Sequence, residues 1–515
     1  MSTTKPLYTT WQNNTHEKWW KDPGLKRTAY YCFVLYFAIF ASGYDGSYLG
    51  GLQALDSWNN YFDSPSGNTL GLISASAYLP SFLTPPLIAW STDRFGRKPV
   101  IWFGATGIVV GAIIGCFANG LAMLIVGRVV VGGCANFLSV AAVCLLNEIV
   151  HPRMRHIAVA LFLTTWYVGS IVAAWTTFGC VYWESNWGWR VATLVQAVGP
   201  VFMLANMFFI PESPRWLKAN GRHEEGRLIL ERLHANGATN DELVNNEIAE
   251  IDTALALEAQ NSTTWGSLIA TKGNRKRMVV LTVVALASQW SGLGLISYYL
   301  APVLRTVGIT NSSQIAGING GLSVWNWLAS VAGALLVERW GRRPLWLMST
   351  ATMLVLWSIF TALNATFART GSSTVGTAVI AFIFLFASSY SVALTPLSQS
   401  YTSEILPFRL RAKGMAYFAF AQSVCTCVNQ WVNPIALDAI QWKYYTVYIA
   451  LLAFYLVMAY MYFVETKGYT SEETAALFDG KADEVIAHTL EGPATPGLDD
   501  KLSGKGSKTE FIEDA

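Results

Sequence analysis

Two charged side chains stand inside stretches that otherwise carry no charge: Asp45 deep in the apolar run 29–49 and Arg128 in the run 121–145. Neither has an opposite charge beside it in sequence, and an ion left alone in a low-dielectric interior is costly, so each needs a partner. A carboxylate with a cation in reach can shift its proton affinity and act as a switch. A second group of charges sits between the apolar runs: Asp93, Arg94 and Arg97; Glu148, Arg153 and Arg155; Glu212; Glu338, Arg339 and Arg342; Glu404, Arg409 and Arg411; and Glu465. There is no nucleotide-binding glycine loop, metal-ligand cluster or nucleophile elbow. The expectation is therefore no enzyme, no cofactor and no metal.

The elements that must position these residues follow from composition. Of 515 residues 53% are apolar and 13% charged, against roughly a quarter charged in a soluble domain. Runs of about twenty apolar residues recur, each long enough to cross a ~30 Å hydrocarbon core as a helix. We place twelve spans at 29–49, 70–91, 99–118, 121–145, 157–180, 190–210, 278–303, 318–337, 344–365, 376–400, 414–434 and 442–464. The fold class is an all-α membrane protein of two six-helix bundles. Segment 1–28 is a polar N-terminal piece without a removable signal. The bundles occupy 29–210 and 278–464, residues 211–277 form a helical linker, and 465–515 is a largely disordered tail. Ser213-Pro214 marks a helix start in the linker.

With the N-terminus inside, the short inner loops carry Arg94, Arg97, Lys98, Arg153, Arg155, Arg339, Arg342, Arg343, Arg409, Arg411 and Lys413. The outer loops carry mainly Arg190, Arg305, Arg369 and Lys443. The positive-inside rule then puts both termini in the cytoplasm, with the plasma membrane as the expected location. Arg128 is read as lying near the inner half of its span. The net charge of +2 gives no sign of a nucleic-acid partner; the partners expected are the lipid bilayer, a small solute and protons. The seven cysteines fall in spans and read as apolar filling.

The two halves repeat each other. Asp93-Arg94-Phe95-Gly96-Arg97-Lys98 matches Glu338-Arg339-Trp340-Gly341-Arg342-Arg343. Glu148 with Arg153 and Arg155 matches Glu404 with Arg409 and Arg411 at identical offsets, and Pro211-Glu212-Ser213 matches Val464-Glu465-Thr466. Positive-inside bias needs no acid, yet an acid recurs at each matching place. We read these residues as an inner gate whose ion pairs form when the bundles approach, around a midplane site.

These residues carry a resemblance. The chain resembles the sugar porter family of the major facilitator superfamily through Gly43-Tyr44-Asp45, the two Arg-aromatic-Gly-Arg loops, Gly127-Arg128, Pro211-Glu212-Ser213-Pro214-Arg215-Trp216-Leu217, Gln289, Ser291-Gly292 and Tyr298-Tyr299. Ser57-Trp58, Thr395-Pro396-Leu397, Arg411-Ala412-Lys413-Gly414 and Val428-Asn429-Gln430-Trp431-Val432-Asn433-Pro434 are similar to the fungal lactose permease-like branch. The resemblance implies that Asp45 and Arg128 pair, and that protonating Asp45 releases Arg128 and links proton uptake to sugar binding. It also implies a sugar site at Gln289, Asn429 and Asn433, with Tyr298 and Tyr299 as gating aromatics. Where the family pattern has polar residues, this chain has Leu163, Ser288 and Gly294. Small residues at the last two positions read as an enlarged site that favours a disaccharide or glycoside over glucose.

Asn311 and Asn364 are outer-side glycosylation candidates, and Asn261 an unused inner one. His151, His156, His223 and His234 read as solvated loop residues. The function these readings imply is secondary active import of a sugar or related hydroxylated solute by proton symport with alternating access. A facilitative uniporter is the alternative, and a non-transporting nutrient receptor ranks below both.

Overall fold

The computed structural model describes residues 13–16, 18–260, 264–467, 474, 477 and 478, and among these there is no strand. Twelve spans make two six-helix bundles. The first is Pro23–Leu52, where Asp22 caps the Leu25 amide and Pro23 opens the helix. The second is Gly67–Ser76 and Thr84–Phe95, interrupted around a 3-10 turn at Leu79–Phe82. The third, fourth and fifth are Arg97–Cys116, Leu121–Ile149 and Arg155–Cys180. The sixth is Trp187–Val195 followed by Val198–Asn206. The seventh comes in three pieces, Lys272–Gln289, Leu293–Tyr298 and Leu300–Arg305. The eighth to twelfth are Ser312–Trp340, Arg342–Thr370, Ser373–Glu404, Phe408–Ile440 and Tyr445–Tyr462.

Proline and glycine set the interruptions. Proline brings no N–H, so the carbonyl four residues before it loses its helical donor. Pro302 frees the Tyr298 carbonyl, Pro434 that of Gln430 and Pro396 that of Val392. In hydrocarbon such a group needs another donor or a close neighbour. Gln53 Nε2 reaches Tyr298 O at 3.1 Å, and the Tyr299 hydroxyl donates to Gln430 O at 2.6 Å. The backbone of Gly333 comes so close to Val392 O that a Cβ there would lie 2.1 Å from it. The seventh span turns at Gly292, whose φ of +102° suits glycine; a Cβ there would press on the Trp357 ring at 3.0 Å.

The earliest and latest described residues and the linker meet the same face of the bundles, called here the linker face. The linker holds the helices Pro214–Ala219, His223–His234 and Glu242–Gln260, and Ser213 caps the first through the Trp216 amide. Two histidines read as solvated are instead buried, because they bolt the linker to the N-terminal bundle. His234 Nδ1 lies 2.6 Å from Glu247 Oε2, and its Nε2 lies 3.2 Å from the Ile149 carbonyl. The His151 ring sits 5.2 Å from that of His234. His223 is exposed, while the His156 side chain and residue Asn261 lie outside the described residues. Most of the tail read as disordered also lies outside them, but Thr474 and Phe478 are buried, and Phe478 packs over the Arg277 guanidinium at 5.3 Å.

Burial, helped by the neighbouring His234 and Arg153, pushes the His151 imidazole from 6.5 down to about 3. Between those two values the unfolded chain takes up a proton that the folded chain refuses, so stability is lost as pH falls. The loss runs up to about 1.4 kcal/mol per pH unit. Thermal unfolding of purified protein at pH 7 and pH 5 should show His151→Asn losing less stability than wild type, by up to about 2 kcal/mol. Equal losses would contradict this placement of the charge.

Candidate functional site

Asp45 and Arg128 are brought together, both buried, in the half of the bundle away from the linker. This corrects the placement of Arg128: the fourth span starts at the far face with Leu121, so Arg128 lies two turns in from that side. The pair is stretched. Asp45 Oδ1 and Arg128 Nη1 are 3.8 Å apart, beyond hydrogen-bond length, and each ion has another partner. Arg128 donates from Nε to the Ile73 carbonyl and from Nη1 to the Tyr48 hydroxyl, both at 2.9 Å. Its guanidinium also lies 5.5 Å from the Tyr48 ring centre, a cation–π distance. Asp45 Oδ1 accepts from Gln196 Nε2 at 2.8 Å. Gln196 was missed in the sequence. Its signal was there: an amide inside an apolar run, four residues before Pro200, where the sixth span breaks.

The predicted sugar-site residues cluster at the break in the seventh span, but most are engaged with one another. The carbonyls of Ser288 and Gln289, which lose helical donors at the break, accept from Tyr390 Oη at 2.7 Å and Asn429 Nδ2 at 3.0 Å. Asn429 Oδ1 accepts from Asn433 Nδ2 at 2.9 Å, while Asn433 Oδ1 accepts from Tyr448 at 2.6 Å and Tyr444 at 2.9 Å. Ser288 Oγ donates to Ala285 O at 2.9 Å and accepts from Gln422 Nε2 at 3.1 Å. Tyr299 is fully buried and committed to Gln430. Gly294 does not enlarge a cavity, since a Cβ there would lie 2.3 Å from Asn429 Nδ2. The Gln289 and Tyr298 side chains are part-buried, and Leu163 is half-exposed. Tyr390, Tyr444, Tyr448 and Gln422 had no signal beyond being polar groups in spans.

On the linker face the acids pair within each half, where the sequence reading had them pairing across the halves. Glu148 Oε1 meets Arg97 Nη2 at 3.0 Å, and Glu404 Oε1 meets Arg342 Nη2 at 3.0 Å. Glu212 accepts from the Arg97 and Lys98 amides, both at 3.0 Å, and Glu465 from those of Arg342 and Arg343, both at 3.0 Å. Gly96 and Gly341, at φ +94° and +92°, make the turns that aim these amides. Burial lifts the Glu212 carboxyl above its usual range despite its amide donors. Arg153 donates to His16 O at 3.2 Å, and Arg155 lies 3.8 Å from Glu247. Asp93, Arg94 and Arg339 are exposed, and Arg411 donates to Leu406 O at 3.5 Å. The side chains of Glu338 and Arg409 lie outside the described residues. Asn311 is exposed and caps the eighth span. Asn364 is buried within the ninth span, with Nδ2 bonded to Phe360 O at 2.8 Å, which leaves no room for a glycan in the folded chain.

The halves are joined at the far face. Besides Gln53 to Tyr298, Arg305 Nη2 donates to Gln53 O at 3.1 Å, Ser312 to Asp56 at 2.9 Å and Trp431 Nε1 to Asn68 Oδ1 at 3.0 Å. At mid-depth Tyr167 donates to Thr395 at 3.1 Å. Gln53→Ala should loosen this closure: an orphaned carbonyl costs about 1–3 kcal/mol, enough to move a two-state equilibrium about 5- to 150-fold. A cysteine at Ser297 should then react faster with a membrane-impermeant maleimide in the Gln53→Ala background. Unchanged labelling would show that Gln53 does not hold the halves together.

Residues 31–478 match the family model described as "Sugar (and other) transporter". The chain is 29% identical to the high-affinity glucose transporter of Kluyveromyces lactis, over 84% of this chain and 81% of that one. It is 27% identical to the MFS glucose transporter mfs1 of Aspergillus flavus, over 85% and 87%. The inward-open structure of the xylose transporter XylE from E. coli superposes with a TM-score of 0.73 at 19% identity, covering 87% of this chain and 99% of that one. This chain is thus a multi-pass membrane protein with the major facilitator fold, and it belongs to the sugar (and other) transporter family.

Proposed function

We propose that the chain imports a sugar or related hydroxylated solute by proton symport, with the linker face and both termini in the cytoplasm and the plasma membrane as its site. Asp45 carries the proton and Arg128 is its counter-ion. One observation carries this reading: at 3.8 Å the pair is already apart, and Gln196 on one side and Ile73 and Tyr48 on the other take up what each ion loses. Buried ions that separate without substitute partners would each face a large desolvation cost; here the step is small. The related XylE structures include one titled a proton:xylose symporter, which supports the same reading. Alternating access then breaks the far-face bonds while the inner-gate charges of the two halves approach. Within each half, Arg97–Glu148 and Arg342–Glu404 keep the third and fourth spans, and the ninth and tenth, moving as units.

Gln289 is the solute contact we favour. Among the described residues its side-chain amide has no hydrogen-bond partner, unlike those of Asn429 and Asn433, and an amide offers a hydroxylated ligand both donors and an acceptor. A larger solute than glucose is a second reading that rests on Leu163, half-exposed where the family pattern is polar. The lactose permease-like motifs point the same way.

Uptake into liposomes under an imposed pH gradient tests the main reading. Asp45→Asn should abolish accumulation against a gradient while sparing solute exchange. Undiminished pH-driven accumulation by that variant would rule out Asp45 as the proton carrier, and wild-type uptake indifferent to the gradient would favour a uniporter. Competition by glucose, lactose and cellobiose against the best labelled solute tests the second. Leu163→Gln should strengthen glucose binding about 5- to 150-fold by pairing a hydroxyl otherwise buried without a partner. Glucose competing tightest in wild type, with no gain from Leu163→Gln, would sink it.

A further inference from the structure

We propose that the chain binds the phosphate headgroup of an anionic phospholipid in a cavity between the end of the sixth span and the linker. The cavity measures about 230 Å³ and is lined by Lys98, Arg232, Tyr31, Phe208, Phe209 and Leu233 among others, with no acidic residue in its wall. A water takes up ~30 Å³ of liquid, so a phosphate group fits. Lys98 Nζ is held in place by the carbonyls of Ile210 at 2.9 Å and Phe208 at 3.4 Å. An ammonium has a third donor, which remains for a ligand. Arg232 is exposed and, among the described residues, makes no hydrogen bond or ion pair. The neighbouring acids are occupied: Glu231 pairs with Arg227 at 2.8 Å, and Glu212 holds the backbone amides of Arg97 and Lys98. Arg27, exposed and one helical turn before Tyr31 on the same face of the first span, adds a third cation outside the cavity wall.

The repeat supplies the comparison. Arg343 stands where Lys98 does and is anchored in the same way, by the Tyr460 carbonyl at 2.8 Å. The second cation of the cavity, Arg232, comes from the linker and not from the duplicated loop. Two cations around one cavity are therefore not a by-product of the duplicated loop alone. The location favours a lipid over a free phosphate ester, the two sources of this chemistry. Phe208 and Phe209, 70% and 68% exposed at the end of a span, offer apolar surface to acyl chains beside the cations, and guanidinium and ammonium together suit a phosphate. A bound headgroup would brace the helix His223–His234 against the sixth span.

The test is native mass spectrometry of the full chain released from nanodiscs of phosphatidylcholine containing phosphatidylserine or phosphatidylinositol. Wild type should retain about one anionic lipid in preference to phosphatidylcholine. Arg232→Gln and Lys98→Gln should each lower that retention by about 10-fold, the effect of losing one charge-assisted bond, and Arg232→Lys should keep most of it. Monodisperse elution of each variant establishes that it is folded. A wild type without preference, or glutamine variants that retain the lipid as wild type does, would overturn the site. Displacement of the lipid by millimolar inorganic phosphate would overturn the lipid as occupant in favour of a soluble phosphate ester; failure of phosphate to displace it supports the lipid.

Discussion

A backbone carbonyl that loses its helical donor inside hydrocarbon has no water to turn to, and the working parts of this protein are arranged around that constraint. Straight helices would meet it trivially but would leave nothing to bind a solute. The spans that carry the site are instead broken, and the freed carbonyls of Tyr298, Gln430, Ser288 and Gln289 become acceptors for side chains from other spans, while that of Val392 lies against the Gly333 backbone. Gln53 answers Pro302 across the two halves, Tyr299 answers Pro434 within one, and Tyr390 and Asn429 answer the break before Gly292. The far-face closure and the buried amide network are thus consequences of the same proline and glycine placements.

Charge obeys the same logic. Arg128 shares the Ile73 carbonyl with the Ser76 hydroxyl just before the second span is interrupted, so the backbone beside a break supplies one of the ligands that let the Asp45–Arg128 pair stretch. At the linker face the acids satisfy backbone amides at the starts of the third and ninth spans as well as arginines, which fits the preference of helix N-termini for negative charge. Each half has its own charge knot on that face. In the alternating access proposed above, the motion between halves would be opposed by the few bonds of the far face, a cost of about a few kcal/mol that a solute or proton could supply.

Much of this was legible in the sequence. Span count followed from apolar runs, and the acids stood out because Glu148 and Glu404, or Glu212 and Glu465, recur with the same neighbours. Asp45 and Arg128 were conspicuous as lone ions. What was not legible depended on which side chain faces which. Asn429 and Asn433 have the chemistry of a sugar site, yet in this conformation they spend it on Gln289 O and two tyrosines. Gly294 looked like empty space and is filled by Asn429. His151 and His234 lie in polar sequence, and only the docking of the linker buries them. Partners of this kind are set by tertiary packing and leave no local pattern; a proline four residues after a polar residue is the nearest thing to one, as Gln196 shows.

The claim that side chains stand in for donors removed by proline is tested most directly by a double-mutant cycle between Tyr299→Phe and Pro434→Ala, followed by unfolding of the purified protein. Tyr299→Phe alone should destabilise by about 1–3 kcal/mol, because Gln430 O is left buried without a donor. In the Pro434→Ala background the restored N–H can reach that carbonyl, so the same change should cost much less, giving a coupling of about 1 kcal/mol or more. Equal costs in the two backgrounds would contradict the claim.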